Sequence, residues 1–204
     1  NGHPDKICDQ ISDAILDEII SQDPRGRVAV EVLSGFNHLT IAGEITTTAN
    51  INLTAIAKRE IRRLGYTDPL YNFSDKSPID LHVHTQSPEI ATGVNQEGAG
   101  DQGMMFGFAC KETDNYMPLP ISIANDLTKQ IDNLREKNIL SYLRPDGKSQ
   151  VTIVYKNNKP YKIASIVLAV PHQENISLLQ VKNNLYKNVV IPILSKYGFV
   201  MPIS

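Results

Sequence analysis

The sequence predicts an α+β protein built of repeated two-layer units, small antiparallel or mixed sheets covered on one face by helices. Three observations carry this. Residues 27 to 34, "RVAVEVLS", alternate Val28, Val30 and Val32 as a half-buried strand does. Residues 4 to 20, "PDKICDQISDAILDEII", place Ile7, Ile11, Ala14, Ile15 and Ile19 on one helical stripe. A second strand pair, "QVTIVYK" and "YKIASIVLAV", is separated by "NNKP" and followed by another long helical run. Strands that hairpin locally beside amphipathic helices give layered sheet-and-helix units.

The elements follow in order. Pro4 suits the first helical position and Asp5 the first turn. Asp5, Asp9, Asp13 and Asp17 recur every four residues on a face away from the isoleucines. "QDPRG" stops this helix. "RVAVEVLS" then turns at "GFNH" and returns as "LTIAGEITT", a hairpin. Asn52 caps the helix "LTAIAKREIRRLG", which Gly65 ends. Residues 79 to 85, "IDLHVHT", read as a strand. From Gln86 to Gly103 no period is visible, and Gly, Ser, Pro and Asn are frequent. A stretch of that length within a compact chain is functional or mobile, so the domain boundary is placed there. "MMFGFAC" reads as a buried strand, followed by a helix from about Pro120 to Asn138. The polar turn "LRPDGKS", the second hairpin and a helix from about Ser177 to Lys196 complete the chain, with a kink expected at Pro192. Residues 28 to 64 and 151 to 196 share the order hairpin then helix, as two copies of one unit would.

Composition narrows the function. Of the 204 residues, 41% are hydrophobic and 21% charged, and the net charge is -2. That balance is ordinary for a globular protein and does not favour nucleic-acid binding. The two cysteines, Cys8 and Cys110, lack CxxC spacing, which argues against a disulfide framework or zinc site and fits a reducing, cytoplasmic compartment. No apolar run reaches membrane-spanning length.

"EGAGDQGMMFGFA", residues 97 to 109, satisfies G-x-G-x-x-G through Gly98, Gly100 and Gly103. A dinucleotide loop would need a strand before it, a helix opening at its last glycine and an acidic residue about 20 positions on. None of the three is present, and neither is the Walker pattern. Two readings stay open on spacing alone. One is a simple glycine turn. The other is a ligand loop, in which Asp101 and Gln102 sit on backbone that a small polar molecule can approach closely. His82 and His84 share one strand face, but no third ligand lies near them, so they read as exposed surface.

"GHPDK" at residues 2 to 6 and "GAGDQG" at 98 to 103, followed by Gly107-Phe108, resemble the S-adenosylmethionine synthetase family. "GEITT" at 43 to 47, "QSPEIA" at 86 to 91, "MPLPI" at 117 to 121 and "RPDGKSQV" at 144 to 151 resemble further family segments, in family order. The resemblance implies an N-terminal α+β domain over 1–90, a central domain over 98–204 and an active-site lid over 86–97. It implies ATP and L-methionine as substrates. The methionine sulfur would attack the ribose C5′, and the tripolyphosphate would then be hydrolysed to phosphate and pyrophosphate. His3 and Lys148 are implied as catalytic. His3, Asp146, Gly147 and Lys148 would contact ATP, and Glu44, Gln86 and Asp101 would hold methionine. Asp5 would bind Mg²⁺ and Glu31 K⁺. A homodimer or homotetramer with the active site between subunits is implied as well.

The family also carries a third, similar domain with a GGGAFSGKD-type motif, a second magnesium aspartate and much of the adenosine pocket. No counterpart occurs here, and Asn1 stands where the family has Glu. The sequence is therefore expected to be a piece, with its central domain cut near Ser204, a third repeat missing and its own activity in question. The alternative is a non-catalytic relative acting as a binding or regulatory partner.

Overall fold

The computed structural model describes residues 2–85 and 103–200. The chain separates into two compact units, Gly2–Phe106 and a second beginning at Gly107.

In the first unit, helix α1 (Pro4–Gln22) leads into the antiparallel hairpin β1 (Arg27–Gly35) and β2 (His38–Thr46), then helix α2 (Leu53–Arg63), a 3₁₀ turn and strand β3 (Ile79–His84). Ile7, Ile11, Ile15 and Ile19 are at most 2% exposed, so the fourfold isoleucine repeat is the buried seam of α1. They pack with Leu39 and Ile41 of β2, and with Ile56, Ala57 and Ile61 of α2. Asp5, Asp9, Asp13 and Asp17 are all exposed, as their spacing predicted. Asn52 caps α2 by accepting the Ala55 N–H at 2.9 Å. Gly65 follows that helix with φ of 94°, a conformation that suits glycine.

The sheet order is β1-β2-β3, with β3 parallel to β2. The helix α2 crossover is what permits a parallel pairing. The pleat therefore sorts side chains into two faces. Val28, Val30, Val32, Leu39 and Ile41 face the helices. The other face carries the rows Ala29–Glu44–His84, Glu31–Ala42–His82 and Leu33–Thr40–Asp80. Gly43 holds the hairpin close. Its φ is 137°, and a Cβ there would lie 2.0 Å from the Ala29 carbonyl oxygen.

The second unit contains helix α3 (Leu119–Glu136), the antiparallel pair β4 (Lys148–Lys156) and β5 (Lys159–Ala169), helix α4 (Leu178–Leu185), a π-helical turn (Tyr186–Val190) and helix α5 (Ile191–Lys196). Its core joins Ile123, Leu127 and Ile131 of α3 to Val181, Leu185, Val189 and Leu194. Asn157 and Asn158 form the two-residue hairpin turn with φ of 52° and 57°, the left-handed values such a turn needs. The expected distortion near Pro192 is present: the π turn ends at Val190, and Pro192 sits in the first turn of α5.

The strand expected over "MMFGFAC" is corrected. Residues 103–110 form no regular element, and Met104, Met105, Phe106 and Phe108 are 77–91% exposed. A strand needs a neighbour to satisfy its backbone, and β4 and β5 pair with each other instead. Apolar composition alone did not distinguish a strand from an unpaired apolar run.

Candidate functional site

The first group of candidate residues stands at the start of α1. Tyr66 donates its phenol to the Gly2 carbonyl at 2.5 Å and so anchors the chain just before His3. His3 is the N-cap of α1, its Nδ1 accepting the Asp5 backbone N–H at 3.2 Å. With Nδ1 used as acceptor, the neutral ring carries its proton on Nε2, which is then a donor. Histidine is not a usual cap residue, so sequence patterning did not reveal this role. The Asp5 carboxylate, 84% exposed, lies 3.8 Å from His3 Nδ1.

The second group lies on the outward sheet face of the same unit. Glu31 is exposed on β1, opposite Ala42. Glu44 lies on β2 in the adjacent row, with Ala29 on one side and His84 on the other. Its Oε1 is 3.2 Å from His84 Nε2. The sequence reading missed this pair and treated His84 as bare surface. The available signal was the alternation in "GEI" and "HVH", once the two strands were set in register. His38 and Asp80 make a similar contact at 3.2 Å. Among the described residues, no cluster of three or more His, Cys, Asp or Glu is placed to hold a metal ion. Cys8, a free thiol at the edge of the α1 stripe, lies 3.4 Å from the Ser34 hydroxyl.

The third group belongs to the second unit. Leu143 bridges to His172, and the Arg144 N–H donates to the Pro171 carbonyl at 2.8 Å. These contacts fix the loop that enters β4. Asp146 adopts φ of 76°, tolerable for Asp in a turn. Its Oδ2 is paired with the Lys148 ammonium, while its Oδ1 is buried without a hydrogen-bond partner. Gly147 lies against Ile131, where a Cβ would be 3.1 Å from Ile131 Cγ2. Asp146 and Gly147 thus lead from one anchored turn directly into Lys148, the first residue of β4. Gln86, Asp101 and the segment 86–97 lie outside the described residues.

A capping imidazole, strand carboxylates and a lysine at the start of β4 are thus carried on two α+β units. Residues 1–88 match the model of the S-adenosylmethionine synthetase N-terminal domain, and residues 96–201 match that of its central domain. The chain belongs to the S-adenosylmethionine synthetase family, a family of enzymes. It is 48% identical over 200 residues to an S-adenosylmethionine synthase of a Nitratiruptor species, covering 96% of this chain and 52% of that protein. Proteins of the same name from a Sulfurovum species and from Helicobacter pylori are each 46% identical, again over 96% of this chain and 52% of theirs. The chain spans about half the length of the curated relatives it matches. Among the described residues, no helix is long and apolar enough to cross a membrane.

Proposed function

We propose that these residues form part of a site that makes S-adenosylmethionine from ATP and L-methionine. The observation that carries the reading is the match of both family domains to consecutive stretches of the chain, with the candidate residues inside the matched ranges. The methionine sulfur attacks C5′ of the ribose, a C–S bond forms, and the C5′–O bond breaks to release tripolyphosphate. Water then divides the tripolyphosphate into phosphate and pyrophosphate.

The chain's own groups suit these tasks. The Glu44 and Asp101 carboxylates pair with the methionine ammonium, and Gln86 adds a polar contact. His3 directs its Nε2–H to the leaving oxygen as charge develops there. Lys148 neutralises phosphate charge, and Asp146 and Gly147 complete the contact with ATP. Positioning supplies much of the acceleration, because the thioether is a neutral, weak nucleophile. The exposed Asp5 carboxylate is a hard oxygen donor of the kind Mg²⁺ takes, and the exposed Glu31 carboxylate suits K⁺. The cations would offset the negative charge of the triphosphate.

The reading extends to architecture. Domains over 1–90 and 98–204 are joined by a lid over 86–97 that closes against water. The two domains are copies of one layered pattern, supported by their shared order of helix, antiparallel hairpin and helix. The family's third repeat has no counterpart within these residues. The active protein is a cytoplasmic homodimer or homotetramer with the site between subunits. A non-catalytic binding partner is not favoured, since the relatives are named as synthases.

The test has two parts. The 204-residue chain is incubated with ATP, methionine, Mg²⁺ and K⁺, and product is sought by mass; formation shows that these residues suffice. In the complete protein carrying this sequence, Glu44→Gln and Asp101→Asn are each expected to lower methionine use sharply. Unchanged kinetics in both would remove the methionine-binding assignment.

A further inference from the structure

Glu44 does not stand alone on its strand. Strands β2 and β3 run parallel with Glu44 and His84 as register partners, which brings Oε1 and Nε2 to 3.2 Å. An ionised carboxylate only accepts hydrogen bonds, so the proton of this contact belongs to Nε2. One carboxylate oxygen is thereby engaged by the neighbouring strand, and among the described residues no hydrogen bond to the other is seen. The residue across from Glu44 on β1 is Ala29, whose methyl cannot compete for that second oxygen. The imidazole is the outer member of the pair, 69% exposed against 27% for the glutamate. No other imidazole on this face is placed to take over. His82 lies opposite Ala42, one row away, and His38 is engaged with Asp80 at 3.2 Å.

A glutamate side chain is flexible, and fixing it costs conformational entropy. A donor held on an adjacent strand meets part of that cost before the ligand arrives. We propose that His84 is a positioning residue for Glu44, setting its rotamer so that the free carboxylate oxygen receives the ammonium of the amino-acid substrate. The proposal rests on the reading that Glu44 holds methionine. Removal of His84 then weakens capture of the amino acid without touching ATP or the bond-making step. A charge-assisted hydrogen bond at a solvent-facing position supports an effect of about three- to tenfold.

The experiment uses the complete protein carrying this sequence, with methionine and ATP varied separately. His84→Ala is expected to raise the KM for methionine by about three- to tenfold, with kcat and the KM for ATP within about twofold of the parent. His84→Gln, whose amide N–H is again a donor, should recover most of the loss, and His82→Ala should leave all three constants unchanged. Glu44→Gln separates the two ideas. If it raises the methionine KM while His84→Ala does not, the positioning role is overturned and the Glu44 assignment stands. If Glu44→Gln leaves the methionine KM unchanged, both fall. Should His84→Ala lower the melting temperature and change every constant together, His84→Gln decides. Recovery of stability without recovery of the methionine KM would show that a donor beside Glu44 is not what secures the amino acid and would end the proposal.

Discussion

Replacement of Gly43 by alanine tests the packing that sets Glu44 on its strand. The added Cβ would sit 2.0 Å from the Ala29 oxygen and 3.0 Å from the Val30 Cα. A carbon–oxygen contact needs about 3.3 Å, so the strands must separate by roughly 1.3 Å. An amide–carbonyl bond of about 2.9 Å does not survive that opening, and at least one ladder bond is lost, at about 1 kcal/mol. The φ of 137° adds backbone strain of about 1–3 kcal/mol for any residue with a Cβ. The sum is about 2–4 kcal/mol, a large part of the roughly 5–15 kcal/mol that holds a domain together. Urea unfolding followed by circular dichroism is the assay. With a slope of about 2 kcal/mol per molar, the midpoint should fall by about 1–2 M. Gly35→Ala is the control, because nothing lies within 4 Å of its built Cβ. It should change stability by no more than about 0.5 kcal/mol. Equal midpoints for the two variants would refute the reasoning.

Asn52→Ala removes the cap on α2 and should cost about 1 kcal/mol in chemical denaturation, while Asn52→Ser should restore most of it. Ile131→Ala, at a side chain only 1% exposed, should cost about 2–5 kcal/mol. Because Gly147 rests on Ile131, the same variant should speed amide hydrogen exchange at residues 146–148. The Asp23 carboxyl accepts the Thr48 N–H and the Thr47 hydroxyl, and these bonds hold its pKa down to about 2 from an unperturbed 3.8. A carboxyl with a lowered folded-state value stabilises above its unfolded value, and the contribution is lost as pH falls from about 4 toward 2. Asp23→Ala should therefore flatten the acid limb of a stability–pH curve, and an unchanged slope would count against the bonds to Thr47 and Thr48.

Local patterning made much of the fold legible. The isoleucine seam of α1, the Asn52 cap and both hairpins follow from spacings a few residues long, and they sit where those spacings placed them. What needed partners from afar was not legible. The 104–110 run has strand composition, yet strand formation is a property of a pair. The Glu44–His84 contact joins residues 40 apart and depends on β3 docking in parallel. The His3 cap was hidden for another reason: it uses an imidazole where patterning looks for Ser, Thr, Asp or Asn. The motifs located His3, Glu44 and Lys148, but their partners came from geometry.

The parallel placement of β3 also sets an order of assembly. The hairpin that carries Glu44 closes through a two-residue turn, a local event on the scale of about 1–10 μs. His84 reaches it only after α2 has formed and the chain has returned across the sheet, and pairing over such sequence separation is slow. The Glu44 carboxylate is thus in place before the imidazole it contacts. A folding intermediate with a closed hairpin and an undocked third strand would hold its helices on the buried face and still lack the Glu44–His84 contact, so on the proposed roles of these two residues the capacity to hold an amino acid would be the last property of this unit to mature.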